Sequence, residues 1–457
     1  MLQVRPDPDE ARIFLEQHPE VETVDLLIAD GNGIVRGKRI NDGHLQKVYE
    51  NGICLPASVF GLDTRGQTVE ETGLGFATGD ADLVCVPVPD TLCLTGWRTG
   101  AGAQLFLTML DPEGAPFFAD PRVVLDGILD RFRRMKLTPV VALELEFYLL
   151  DRDRDERGRP QPPRSPVTGQ RESSTQVYGM AELDDYTEFM DEVTRIADIQ
   201  GVPADTAVSE YAPGQYEVNL GHQPDALRAA DHALLLKRII KRAANSMGME
   251  ATFMAKPYAE QSGSGQHIHI SLIDENGRNV FVGKDSMGSD LMRHAIGGLG
   301  ATMSESLALL APNSNSYRRF QPDNFVPLAP TWGLNNRTVA LRIPAGDVAA
   351  TRIEHRVAGA DANPHLVTAA VLAGIHHGLE RQIEPRPPSN GNAAEQVERE
   401  LPSGWLHAIE ALEEGNVMRD YFGQPFLDVY TSCRRFERES FASHVTSLEY
   451  EWYLRAV

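Results

Sequence analysis

Cysteine is scarce, four in 457 residues: Cys54, Cys85, Cys93 and Cys433. No CxxC spacing and no even ladder of cysteines marks a disulfide framework or a thiolate metal site, so reduced, mostly buried thiols are expected. Long apolar runs are missing too. The longest, such as 83–89, fall far short of the ~20 residues a membrane span needs. The opening MLQVRPDPDEARIFLEQHPE has no apolar stretch after a basic start, which predicts no secretory leader and a cytoplasmic protein. Positive charge is short: 43 Lys and Arg face 65 Asp and Glu, for a formal net charge of −22. Such a surface repels phosphate backbones and anionic lipid headgroups, which argues against nucleic acid and membranes as partners. No heptad, solenoid period or low-complexity block occurs, and no GxxxxGK[ST] of a P-loop enzyme.

What remains is ordinary globular composition, 42 % hydrophobic and 24 % charged. The length suits about three domains, or two with one large, and a core that needs no disulfides. Residues 23–40 read as two strands joined at Asp30-Gly31-Asn32-Gly33, and strand signals continue to 109. These place a small N-terminal domain at 1–112. Asp120 as N-cap and Pro121 in the first turn then open a helix with Val124, Ile128, Phe132 and Met135 on one face. A strand at 139–150 and a charged, proline-rich loop at 151–171 follow. Helical patterns at 184–200 and 225–247 close at Gly201 and Gly248. Further strands are expected near 214–220, 265–273, 337–344 and 351–357, with helices from 362 onward. The fold class is α+β, with the larger domain at 113–457.

Residues i and i+2 of a strand project from the same face. On 139–150, Leu143, Leu145 and Phe147 therefore face one way, and Glu144 and Glu146 the other. Glu217 sits in YEVNL, with Glu210 seven residues earlier. In GQHIHISL, His267, His269 and Ser271 oppose Ile268 and Ile270. Arg342 opposes Leu341 and Ile343, and Arg352, Glu354 and Arg356 share a face. A solvated sheet face explains any one of these strands. It does not explain their recurrence, because Glu, His and Arg dominate while Lys, Thr and Ser are few. If the strands share a sheet, one surface gathers five Glu, two His and at least three Arg. Burying such carboxylates is costly without cations. Carboxylates with imidazoles and no thiolate suit Mg²⁺ or Mn²⁺ better than zinc. Two or more divalent ions beside arginines is equipment for phosphoryl transfer.

These segments, in this order, resemble the glutamine synthetase family from about residue 20 to the C-terminus. Lys256-Pro257 with Gly263-Ser264-Gly265-Gln266-His267-Ile268-His269 is similar to its KP-x-GSG-x-H-x-H signature. Asn315 to Arg319, Asn336-Arg337, Arg342-Ile343-Pro344 and Arg352 to Arg356 continue it. The resemblance implies an N-terminal β-grasp domain and a catalytic domain with a curved antiparallel sheet and surrounding helices. It implies homo-oligomers, hexameric rings commonly stacked as dodecamers, with active sites between subunits. It puts Glu146, Glu210 and Glu217 at a first metal and Glu144, His267 and Glu354 at a second, for two or three Mg²⁺ or Mn²⁺ per site. Arg319, Arg356 and the backbone at Gly263 fall where L-glutamate is held. His269, Ser271 and Arg352 fall around ATP, with Arg337 and Arg342 catalytic near the transferred phosphate. Asp30 matches the acidic residue that reaches a neighbour's site near the ammonium.

Three departures stand out. In the flap, Phe325 occupies the place of a glutamate that closes over the ammonium; the usual Asn before GSG is Ser262; and 384–396 has no tyrosine for adenylylation. The wording around Asp30 to Arg39 and Ala329 to Gly333 is nearer the γ-glutamylpolyamine and γ-glutamylputrescine synthetase branch. The reading is an ATP-dependent ligase joining the γ-carboxylate of glutamate to a primary amine, with an amine pocket of Asp30, Phe325 and Trp332. Glutamine synthesis from ammonia is the alternative, and a non-catalytic scaffold a third.

Overall fold

The computed structural model describes residues 6–97, 102–174, 176–321 and 325–457. The hairpin expected at 23–40 forms as β1 (Thr23–Ala29) and β2 (Val35–Asn41), closed where Gly33 N–H donates to the Asp30 carbonyl at 2.9 Å. Added to these are β3 (Ile53–Pro56), β4 (Asp82–Pro87), β5 (Cys93–Leu94) and β6 (Gly102–Met109). Their order is β2-β1-β6-β4-β3, with β5 on β6. The β1–β6 pair is parallel and its neighbours antiparallel, as in a β-grasp. Strand β1 is buried on both faces. Val24, Leu26 and Ile28 enter the core of this sheet, while Leu27 and Ala29 join the larger core behind it.

The second sheet comprises β7 (Leu137–Asp151), β8 (Ala204–Ser209), β9 (Gln215–Leu220), β10 (Met249–Thr252), β11 (Gln266–Asp274), β12 (Trp332–Leu334), β13 (Leu341–Ile343) and β14 (Ile353–His355). Its order is β12-β13-β14-β11-β7-β9-β8, with β10 on the far end of β7. Helix Pro121–Arg134 starts as its sequence requires, the Asp120 carboxylate accepting from Arg122 N–H at 2.9 Å. With helices Thr187–Ile199 and Ala226–Ser246 it supplies apolar side chains to the same core as Leu143, Leu145 and Phe147. Helix Asp290–Leu310 crosses helix Pro364–Arg381 very closely. A Cβ on Gly298 would lie 2.2 Å from the Gly374 carbonyl oxygen, so glycine is what lets the backbones meet. Four more helices end the chain: Trp405–Glu414, Asn416–Phe422, Gln424–Ala442 and Ser447–Tyr453. Among the described residues no helix is long and apolar enough to cross a membrane.

Candidate active site

Alternation along β7 buries Leu143, Leu145 and Phe147 in the core and turns Glu144 and Glu146 to the opposite face. Register then aligns the polar faces of its neighbours. His267 of β11 pairs with Glu144, and Glu217 of β9 pairs with Glu146. Glu354 of β14 lies between His269 and Arg342. Glu144, Glu146, Glu217, His267, Arg342 and Glu354 floor a cleft of about 560 Å³, which Glu210, at the end of β8, also lines with Gly263, Arg319, Arg337 and Arg356.

At this cleft floor, donor atoms of Glu146, Glu210 and Glu217 all lie within 4.8 Å of one another. So do those of Glu144, Glu217 and His267, and, with His269 just outside the lining, those of Glu144, His269 and Glu354. The first trio is the one expected for a first metal. Members of the expected second trio are divided between the other two groups, which share Glu144, and His269 joins a metal-capable group. An oxygen-rich donor set with imidazoles and no thiolate fits Mg²⁺ or Mn²⁺.

The electrostatics ask for such cations. Burial and the nearby Glu146 carboxylate push Glu210 up to about 7. Burial, then Glu144, Glu146 and Glu210, raise Glu217 well above the usual carboxylate range. Burial also opposes ionisation of Glu144 and Glu354, but compensating groups win there. Hydrogen bonds from His267 and His269 hold Glu144 well below its ordinary value. Arg356, the two histidines and Arg342 hold Glu354 down to about 2. Arg342 donates to Glu354 at 2.7 Å, and Arg356 donates to its other oxygen. Arg352 Nε donates to His269 Nδ1 at 3.1 Å, leaving Nε2–H to donate to Glu144 at 2.8 Å.

Arg319 reaches the cleft through a gap that only glycine leaves. A Cβ on Gly263 would lie 2.6 Å from Arg319 Cγ and 2.8 Å from the Ala255 carbonyl oxygen. Arg319 donates to the Val357 carbonyl at 3.1 Å, while its Nε and that of Arg356 have no partner among the described residues. Unused buried guanidinium donors beside a cleft suit an anionic ligand. Ser262 hydrogen-bonds Gln215, whose amide donates to the Gly263 carbonyl at 3.0 Å. Ser271 continues the polar face of β11, and His269, Ser271 and Arg352 stand outside the cleft lining. Phe325 lines the cleft and is 61 % exposed. Pro322, Asp323 and Asn324 of the flap lie outside the described residues.

Two expectations need correction. Asp30 is fully buried. Its carboxylate accepts from Asn32 and Ile34 N–H, both at 2.9 Å, and from Arg36 at 3.0 Å. A carboxylate that fastens its own turn is not free to reach a neighbour's site. Trp332 is also buried, its indole donating to the Arg386 carbonyl, and it does not line the cleft. Sequence reasoning in turn missed Tyr178 and Tyr211, exposed aromatic residues on the cleft wall. Tyr211 adjoins Glu210 and was within reach of the sequence; Tyr178 sits in an aperiodic loop that gave no signal.

The family profile described as "Glutamine synthetase, catalytic domain" matches residues 118–453. The chain belongs to the glutamine synthetase family. Within this family it is 45 % identical to "Gamma-glutamylputrescine synthetase PuuA" of Escherichia coli (strain K12), covering 98 % of this chain and 94 % of that one. It is 32 % identical to "Glutamate--isopropylamine ligase" of Pseudomonas sp, covering 97 % of each. The solved structure "GmaS/ADP complex-Conformation 1" superposes with a TM-score of 0.85 at 27 % identity, covering 99 % of this chain and 100 % of that one.

Proposed function

We propose that the protein is an ATP-dependent ligase that joins the γ-carboxylate of L-glutamate to a primary amine larger than ammonia. The observation that carries this reading is the cleft that unites five carboxylates, His267 and four arginines over one sheet, within a chain 45 % identical to a γ-glutamylputrescine synthetase. The reaction has two steps. A γ-carboxylate oxygen of glutamate attacks the terminal phosphorus of ATP, and ADP leaves. The amine nitrogen then attacks the γ-carbon of γ-glutamyl phosphate, phosphate leaves, and the ammonium proton passes to a cleft carboxylate or solvent.

In this reading Arg319 and Arg356 orient glutamate, while Arg337 and Arg342 face the transferred phosphoryl group. His269, Ser271 and Arg352 serve the nucleotide side. Glu144, Glu146, Glu210, Glu217, His267 and Glu354 would hold Mg²⁺ or Mn²⁺, with His269 beside them. When bound, those ions neutralise phosphate charge. Phe325 replaces a charged flap residue with an apolar ring at the cleft wall, which favours an amine with a carbon tail. The reading also includes a division at 112/113, a cytoplasmic location, supported by four unpaired thiols, and a homo-oligomer of hexameric rings.

A phosphate-release screen tests it, using glutamate, ATP and Mg²⁺ with ammonia, alkyl monoamines, aromatic amines and polyamines. Release that requires glutamate, metal and an amine is expected. No release with any amine would defeat the ligase reading, and ammonia as the best substrate would return the protein to glutamine synthesis.

A further inference from the structure

Arg319 stands between two acidic groups, and glycine keeps both edges of its guanidinium open. A Cβ on Gly265 would lie 3.3 Å from Arg319 Nη2 and 3.0 Å from His267 Nε2. A Cβ on Gly359 would lie 3.3 Å from Arg319 Nη1 and 2.3 Å from Asp361 Oδ1. Gly265 and Gly359 face each other across an antiparallel bridge, and Gly265 N–H donates to Glu146 at 2.7 Å. One edge of the guanidinium is thus turned toward the Gly265–Glu146 side of the cleft, the other toward Asp361.

Asp361 is built into the support of this arginine. Its Oδ2 accepts from Asn313 Nδ2 at 2.6 Å and from Ser316 Oγ at 2.7 Å. Ser316 opens the short 3₁₀ turn Ser316–Arg319, so this oxygen anchors the segment that carries the arginine. Its Oδ1 is buried and has no hydrogen-bond partner among the described residues. A buried, unpaired carboxylate oxygen is costly, and the cations that offset it are Arg319 and Lys237. Lys237 is the weaker of the two. Its ammonium donates to the Ala362 carbonyl at 2.9 Å, and burial, then Lys241, pulls its pKa down to about 7. Arg319 keeps its charge at any ordinary pH and is the constant countercharge.

We infer that Asp361 is a positioning residue for glutamate: it holds the Arg319 guanidinium back from Glu146, so that the free Nε–H stays available to a glutamate carboxylate. The inference rests on the ligase reading above, in which Arg319 orients glutamate. Glu146 and Asp361 pull on this guanidinium from opposite edges. Without the charge of Asp361 the balance shifts toward Glu146, and an arginine paired there has its donors committed before glutamate arrives. Removing a negative charge behind Arg319 also strengthens its attraction for an anion. Orientation outweighs that gain, because a misplacement of about 1 Å can cost as much as 100-fold.

The test measures kcat, the KM values for glutamate, ATP and the best amine, and denaturant unfolding in wild type and Asp361→Asn. Asparagine keeps an oxygen for Asn313 and Ser316 and removes the charge. Glutamate KM is expected to rise about tenfold, with the other two KM values within about threefold and the unfolding midpoint close to wild type. An unchanged or lowered glutamate KM would overturn the inference. So would a parallel rise in all three KM values with loss of stability, which is what a purely structural residue gives. Should Asp361→Asn not fold, Asp361→Ser removes the same charge with less bulk and is judged by the same comparison. Absence of glutamate-dependent phosphate release in wild type would instead defeat the ligase reading, so the two failures are distinguishable.

Discussion

Glu146 and Glu217 lie directly opposite each other in the antiparallel register of β7 and β9. Like charges in that relation are destabilising, and this pair adjoins two more carboxylates, Glu144 and Glu210. The sheet therefore keeps a local conflict that a bound cation, or a proton held on Glu217 or Glu210, must relieve. Function, rather than stability, accounts for its presence.

Glu217→Gln should consequently separate stability from activity. In EDTA the variant is expected to be more stable than wild type by about 0.5–1 kcal/mol, because it removes a carboxyl that burial and its neighbours make costly to ionise and that must otherwise take up a proton on folding. With saturating Mg²⁺ or Mn²⁺ the order reverses, since a ligand that binds the folded state at 100 times its Kd adds about 2.7 kcal/mol. Turnover should fall by roughly two orders of magnitude or more. Denaturant unfolding with and without metal, beside phosphate release, checks all three. Equal stabilisation of variant and wild type by metal would count against the ligand assignment.

Asp30 offers a contrasting carboxylate. Burial raises its pKa and Arg36 lowers it, so its loss should be felt in the fold. Asp30→Ala leaves two turn N–H groups and Arg36 without their acceptor. The expected cost is about 2–4 kcal/mol in denaturant unfolding, with KM for the amine unchanged in the folded fraction. A selective rise in amine KM at wild-type stability would restore the cross-subunit role that its burial argues against.

His232, on helix Ala226–Ser246, gives a pH dependence away from the cleft. Burial, then Arg228, lowers its pKa to about 4, and its Nδ1 has no partner among the described residues. The unfolded chain binds this proton near pH ~6.5. Between those values the unfolded state holds more protons, so stability is complete above pH ~6.5 and declines as pH falls toward 4. The loss is up to about 3 kcal/mol. Unfolding of wild type and His232→Gln at pH 7.5 and pH 5 isolates the effect. The variant should lose less on acidification.

The sequence made the charged floor legible because strands alternate with a period of two. Spacing put Glu144 and Glu146, His267 and His269, and Glu354 each on the polar face of its own strand, and pairing register brings those faces together. Spacing is silent on whether a turn acid points outward or inward. Asp30 was therefore misread, although Asp-Gly-Asn-Gly had marked the turn correctly. Trp332 was misread for the same reason: a three-residue strand gives too little alternation to fix a face. Helix Asp290–Leu310 escaped notice because it is buried on most sides and includes Gly297, Gly298 and Gly300, which weaken an amphipathic pattern. The tyrosines of the aromatic wall sit beyond strand ends, where no period operates.

Phe325 provides the sharpest chemical forecast. At Phe325 the cleft wall carries an exposed ring. Ammonia has no surface to bury against it. An alkyl tail packed on the ring gains about 1.5–3 kcal/mol, equivalent to roughly 10–100-fold in kcat/KM if retained in the transition state. Phe325→Ala should remove most of that advantage while sparing glutamate and ATP binding. Phe325→Glu should go further: its carboxylate attracts ammonium and removes apolar contact, shifting preference toward ammonia by about tenfold or more. The measurement is the ratio of kcat/KM for ammonia to that for the best panel amine, in wild type and both variants. Ratios unchanged by either substitution would show that the ring packs the flap and takes no part in choosing the amine.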